Sequence, residues 1–167
     1  DQKATEAEAR RNIQRYLRQL SYFEPSIPPP PIDGVWGDDT VRAVKAFQKL
    51  EGLEETGAVD DVTFERLFEE RALPLCISPF PSEPEGYVIG PGDTSPIVRL
   101  IQLMLGEISA IYDLTAVDET GIYDEETAEA MRDLQYRNLL PVTGIMDKAT
   151  WNALARAYGL YLMYAEP

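Results

Sequence analysis

The second half of this sequence repeats the first. Laid 87 residues apart, Asp33–Leu67 and Thr120–Leu154 align without a gap. Ten pairs are identical: Gly34/Gly121, Thr40/Thr127, Ala43/Ala130, Gln48/Gln135, Leu53/Leu140, Thr56/Thr143, Gly57/Gly144, Asp60/Asp147, Thr63/Thr150 and Leu67/Leu154. Val35/Ile122, Trp36/Tyr123, Phe47/Leu134 and Phe64/Trp151 are alike in kind. With one residue of slip, Ile13-Gln14 and Leu17 fall on Ile101-Gln102 and Leu105. A duplication of this length fixes the architecture as two copies of one small unit.

Each copy reads as three helices. The first carries Ile13, Tyr16, Leu17 and Leu20, or Val98, Ile101, Met104, Leu105 and Ile108, at helical spacing. A polar loop and a Gly-x-aromatic turn follow. The second helix presents Val41, Val44 and Phe47, or Ala128, Met131 and Leu134. Asp38-Asp39 and Glu125-Glu126 fall in its first turn, where negative charge suits the helix dipole. After Thr56-Gly57 or Thr143-Gly144, Asp60 and Asp147 are placed to cap a third helix that packs Phe64 and Leu67, or Trp151 and Leu154.

The prolines mark the boundaries. Of 13 in the chain, five lie within residues 25–31 and six within 74–96. The first group predicts a stiff extended loop. The second, interleaved with Gly86, Gly90 and Gly92, predicts a linker over 73–94. The expected organisation is all-α, two tandem three-helix bundles: residues 1–72, a Pro/Gly-rich linker 73–94, and residues 95–167. Each bundle, of roughly 60–70 residues, can bury a small core.

Composition then removes function classes. The 167-residue chain has no His, one Cys and a net charge of −14. Without His there is no Ser-His-Asp or Cys-His nucleophile system and no HExxH zinc site. Cys76 alone builds neither an internal disulfide nor a Cys-rich zinc site. The negative charge disfavours nucleic acid, which calls for Lys/Arg stripes on phosphates. No apolar run nears the roughly 20 residues of a membrane span. The chain begins at Asp1 rather than Met, with no signal peptide in view, so the expectation is a mature or excised piece of a longer protein.

The ordered set Asp33-Gly34-Val35-Trp36-Gly37-Asp38-Asp39-Thr40, Ala43-Val44, Phe47-Gln48, Thr56-Gly57 and Asp60-x-x-Thr63-Phe64-x-x-Leu67 resembles the peptidoglycan-binding domain family. These are small three-helix modules attached to bacterial wall hydrolases. The second copy carries Thr120-Gly121-Ile122-Tyr123-Asp124, Thr127, Ala130-Met131, Leu134-Gln135, Thr143-Gly144, Asp147, Thr150-Trp151 and Leu154. It adds the family's Gly92-Asp93 lead-in to Val98-x-x-Ile101-Gln102-x-x-Leu105, which the first copy lacks.

The resemblance implies a non-catalytic module that binds peptidoglycan, without cofactor or metal. Its setting would be the outside of a bacterial cell, on the wall. Its partners would be peptidoglycan and a catalytic domain of the same parent protein. The ligand contacts it suggests are Asp33, Trp36, Thr40 and Gln48 in the first copy, and Thr120, Tyr123, Asp124, Thr127 and Gln135 in the second. Structural roles compete at each position. Trp36 and Tyr123 can stack on a sugar ring or plug the gap between helices. Thr40 and Thr127 can bond locally in a first helical turn. Gln48 and Gln135, like Gln14 and Gln102, can bridge helices to loop backbone.

Three other readings are weaker. A glycosidase needs two carboxyls about 5 to 10 Å apart in a cleft, and Asp38/Asp39 and Asp118/Glu119 are adjacent residues that point apart. Related helical modules occur as propeptides of zinc metalloproteinases, but Pro74-Leu75-Cys76-Ile77 lacks the Arg and Gly that flank the blocking Cys there. A protein–protein adaptor remains the alternative, with the apolar-aromatic tail 155–167 packing on its own repeat or on a partner.

Overall fold

A computed structural model describes residues 2–68 and 86–164. Cys76 and residues 73–85 of the expected linker lie outside the described residues. The chain divides into two compact units, one holding residues 2–68 and the other 86–164. The first contains α1 (Gln2–Ser21), α2 (Asp38–Leu50) and α3 (Asp61–Leu67); the second contains α4 (Pro96–Tyr112), α5 (Glu125–Arg137) and α6 (Lys148–Tyr164). The described residues form no strand, so each repeat is the expected three-helix unit.

The cores follow the apolar spacing. In the first unit Leu17 and Leu20 of α1 meet Ala43, Val44 and Phe47 of α2, with Ile27 and Leu67 closing the sides. Burying each large side chain contributes about 1.5–3 kcal/mol. In the second, Val98, Ile101, Leu105 and Ile108 of α4 are buried with Met131, Leu134, Trp151 and Leu154.

Phe64 departs from expectation. It is 50% exposed while its counterpart Trp151 is 3% exposed. In the short α3, Leu67 takes the buried position. The Phe64 ring instead lies against Phe68, and Phe68 meets Tyr16 edge-on, each at a centroid distance of 4.4 Å. The C-terminal tail also differs in extent. It continues α6 to Tyr164, and Ala157 and Tyr158 are buried in the tail's own unit. The Tyr158 hydroxyl donates to Glu107 on α4 at 2.6 Å.

Part of the expected linker pairs with the turns of the second unit. Ile89 and Met146 exchange both backbone hydrogen bonds, at 2.9 and 2.8 Å, and Ile89 is buried. Gly92 N–H donates to the Tyr123 carbonyl, and Tyr123 N–H donates to the Asp93 carbonyl. Residues 89–93 are thereby part of the second unit. Backbone pairing of this kind leaves little trace in composition, which reads the same residues as loop.

Four glutamines tie the helices to the turns. The Gln14 side-chain carbonyl accepts from Gly34 N–H at 2.8 Å, while its amide nitrogen donates to the Val35 carbonyl at 2.8 Å and lies 2.9 Å from the Thr40 hydroxyl. Gln48 repeats this with Gly57, Ala58 and Thr63. Gln102 does so with Gly121, Ile122 and Thr127, and Gln135 with Gly144, Ile145 and Thr150. All four are at most 1% exposed. The bridging role open to these amides in the sequence is the one they fill.

The turns are therefore one motif used four times: Gly, and six residues later a Thr on the next helix. The glycine has φ between 76° and 80° in every case. A Cβ there would be strained by conformation, and at Gly57, Gly121 and Gly144 it would also lie within 2.8 Å of a neighbouring side chain. Two residues beyond each glycine's neighbour comes the N-cap. Asp60, Asp124 and Asp147 each accept from the backbone N–H three residues on, at 2.8–2.9 Å. Gly37, at the same place in the first turn, has no side chain to do so. The caps expected at Asp60 and Asp147 are present, and Asp124 is a third.

Replacing Gln102 by Leu keeps the volume but strands the buried Gly121 N–H and takes one hydrogen bond each from the Ile122 carbonyl and the Thr127 hydroxyl, which keep Thr120 and Asp124 as partners. Each buried group left unpaired costs roughly 1–3 kcal/mol. Calorimetry of Gln102→Leu should show a transition lowered by roughly 10–20 °C, whereas Tyr136→Ala, at a side chain 76% exposed, should move it little. An unchanged melting profile for Gln102→Leu would mean that the clamp is not a main support of the unit.

Candidate functional site

Each clamp fixes a turn from the inside and leaves its outer edge to solvent. The residue after each glycine has its carbonyl bound by glutamine, so its side chain faces outward. Val35 is 60% exposed and Ile122 51% exposed. The residue before the glycine, Asp33 or Thr120, is also exposed. Asp33 accepts from Gln14 and from Val35 N–H. The Thr120 hydroxyl lies 3.1 Å from the Gln102 amide nitrogen.

The aromatic two residues past the glycine joins one turn to the next. Tyr123 OH donates to the Gly144 carbonyl at 2.6 Å. Trp36 Nε1 donates to the Gly57 carbonyl at 3.3 Å. Within each unit the two Gly turns are thus held against one another. Tyr123 is 1% exposed, and burial pushes its hydroxyl well above the ordinary tyrosine range, so it stays a donor. Trp36 is only partly buried and packs against the first core, keeping some ring accessible.

The residues singled out from the sequence therefore separate into two groups. Thr40, Gln48, Tyr123, Thr127 and Gln135 are buried at 1% exposure or less, with their polar atoms bonded within the unit. Asp33, Thr120 and, in part, Trp36 and Asp124 reach solvent. Asp124 is committed to its own chain: one oxygen takes the Thr127 N–H and hydroxyl, and the other lies 3.2 Å from the Thr120 hydroxyl. Val35 and Ile122 join the exposed group. Their signal in the sequence was an apolar residue directly after a turn glycine, a place where a core residue has no reason to be.

Several of these carboxylates are stabilised as anions. The N–H of Val35 and the Gln14 amide hold Asp33 below its ordinary value of 3.8. Thr63 does the same for Asp60 through its N–H and hydroxyl. For Asp124 burial pulls upward, but hydrogen bonds from Thr127 and Thr120 outweigh it and the net shift is down. A carboxyl depressed in the folded state adds stability above the unfolded value of about 4, and that stability is lost as pH falls through the folded value. Protonating the many other carboxylates relieves self-repulsion and acts the other way. A comparison of variants isolates the first effect. Asp60→Asn with Asp124→Asn keeps an oxygen for each cap, since Asn caps as well as Asp. Between pH 5 and 2 its urea midpoint should fall less steeply than that of the parent chain; parallel curves would show that these caps do not drive the acid response.

The two repeats also match a known family. The family model described as "Putative peptidoglycan binding domain" covers residues 6–67 and again 94–154. No curated protein and no solved structure matches the chain. Each matched stretch takes in both Gly turns of one unit, with the glutamines and threonines that hold them, and all or part of its three helices. The chain belongs to the peptidoglycan binding domain family, with two copies in tandem.

Proposed function

We propose that this chain is a non-catalytic module that binds peptidoglycan at two places and holds an attached wall hydrolase or surface protein on the bacterial cell wall, outside the cell. The observation that carries the reading is the tandem match, each copy spanning both glutamine clamps of one unit. No helix among the described residues is long and apolar enough to cross a membrane, and retention by the wall itself would meet the need for an anchor. Two weak sites on one chain raise retention through effective concentration wherever the connection lets both engage.

The contact surface in this reading is the outer edge of the first Gly turn of each unit: Asp33, Val35 and Trp36 in one, Thr120 and Ile122 in the other. Small apolar side chains beside exposed oxygens suit a ligand that alternates hydroxyls and amides with methyl groups. With a net charge of −14, long-range attraction to an anionic wall is excluded as the driving force, and recognition is local.

A protein–protein adaptor is the second reading. Tyr136 at 76%, Leu139 at 95% and Val142 at 52% exposure place apolar side chains on the surface of the second unit. Co-sedimentation with purified, protein-free peptidoglycan separates the two. The parent chain should pellet, and raising salt from 50 to 500 mM should weaken pelleting by less than roughly threefold. Val35→Ser and Ile122→Ser, which leave the clamps intact, should each reduce it and together abolish it. A chain that stays in solution with walls of several chemotypes would leave the adaptor.

A further inference from the structure

In the second unit the far end of α5, the end of α4 and the middle of α6 line an open cavity of about 380 Å³. This is within the size range of small-ligand sites, roughly 300–1,000 Å³. Its walls are of two kinds. Leu134, Ala153, Ala157 and Tyr112 are apolar or aromatic, and two arginines, Arg137 and Arg156, line the same space. In a chain of net charge −14 with only 15 basic residues, two arginines lining one small cavity stand out. Arg137 has only a loose ion pair, 3.8 Å from Asp113, whose side chain is 99% exposed.

The first unit carries different residues at the equivalent positions. Across the 87-residue repeat, Ala153 corresponds to Arg66 and Asn138 to Glu51. Arg66 and Glu51 form an ion pair at 3.2 Å there, and Leu50 stands where Arg137 stands. In the second unit the pair is gone. Ala153 is small, and Asn138 folds its amide back onto the Leu134 carbonyl at 2.8 Å. The space is emptied and a positive charge is placed at its rim.

We propose that this cavity is a binding site for the terminal carboxylate of a short peptide with a small aliphatic side chain. The guanidinium fork matches a carboxylate in two parallel hydrogen bonds, and the alanine and leucine wall suits a methyl group. Polyanions are repelled by the rest of the surface, so the charge read here is single. Naming the source as a free stem-peptide terminus of the wall rests on the peptidoglycan reading above; the cavity's preference for a carboxylate does not.

The test uses the full chain and four probes: N-acetyl-alanyl-alanine as the free acid and as the C-terminal amide, each in L,L and D,D form. Chemical-shift mapping should show the free acid moving the backbone signals of Ala153, Ala157 and Tyr112, with the amide binding at least tenfold more weakly. Arg137→Gln with Arg156→Gln should lose binding at least tenfold while keeping the parent's melting temperature, since both side chains are at the surface. Ala153→Arg with Asn138→Glu transplants the first unit's ion pair and should also block the probe. Equal binding of acid and amide, or full binding by the arginine variant, would overturn the proposal. Pelleting with peptidoglycan is scored on the same samples. Walls retained with no probe bound would overturn the cavity and leave the wall reading standing; probe bound with no wall retained would support the cavity and remove the wall as its source.

Discussion

The structure depends on a buried primary amide. A helix of this length has one face to bury and two ends to satisfy, and three short helices leave long connecting turns with many backbone groups at risk of burial unpaired. One glutamine answers this by presenting an acceptor and two donors from a single rigid plane. It takes the N–H of the turn glycine, gives to the carbonyl one residue on, and reaches the hydroxyl of the threonine that opens the next helix. Turn geometry, helix entry and helix packing are thereby fixed by one side chain. The glycine follows, because the turn takes φ near +80° at that position, a conformation that L side chains rarely adopt. The threonine follows as well, because its hydroxyl must lie inside the first turn of the next helix.

Used twice per unit, the clamp produces a pair of turns, and the aromatic of the first turn bonds the glycine carbonyl of the second. In the second unit residues 89–93 add backbone bonds to Tyr123 and Met146, which occupy the same position in the two turns. The interior of this assembly is saturated with internal hydrogen bonds. Chemistry toward a ligand is left to the few groups the clamp turns outward and to whatever the helix ends enclose.

The duplicated units have diverged at the surface while keeping the clamp. Residues that differ between them, such as Leu50 against Arg137, lie on exposed helix faces. The fold tolerates change there because none of its four glutamines touches those positions. A tandem protein built this way can hold one scaffold and vary what each copy presents.

The sequence by itself determined the two units, their three helices, two of the N-caps and the family, because these depend on periodicity and on residues whose type is dictated locally. It also held the fourfold turn motif, but as a few scattered residues at unequal distances: Gln14 acts across a long proline loop on Gly34, and Gln48 across a short one on Gly57. Only the tertiary structure decided which polar residues face inward. Thr40, Thr127, Gln48 and Gln135 fit either a ligand contact or an internal bond until their partners are seen, since a buried amide and an exposed one have the same letter. It also decided that Phe64 stays outside while Trp151 goes in, and that Arg137 and Arg156, 19 positions apart, line one cavity. Those outcomes depend on how α3 and α6 differ in length and on which side chains vacate a helix face, and such non-local facts are written nowhere along the chain.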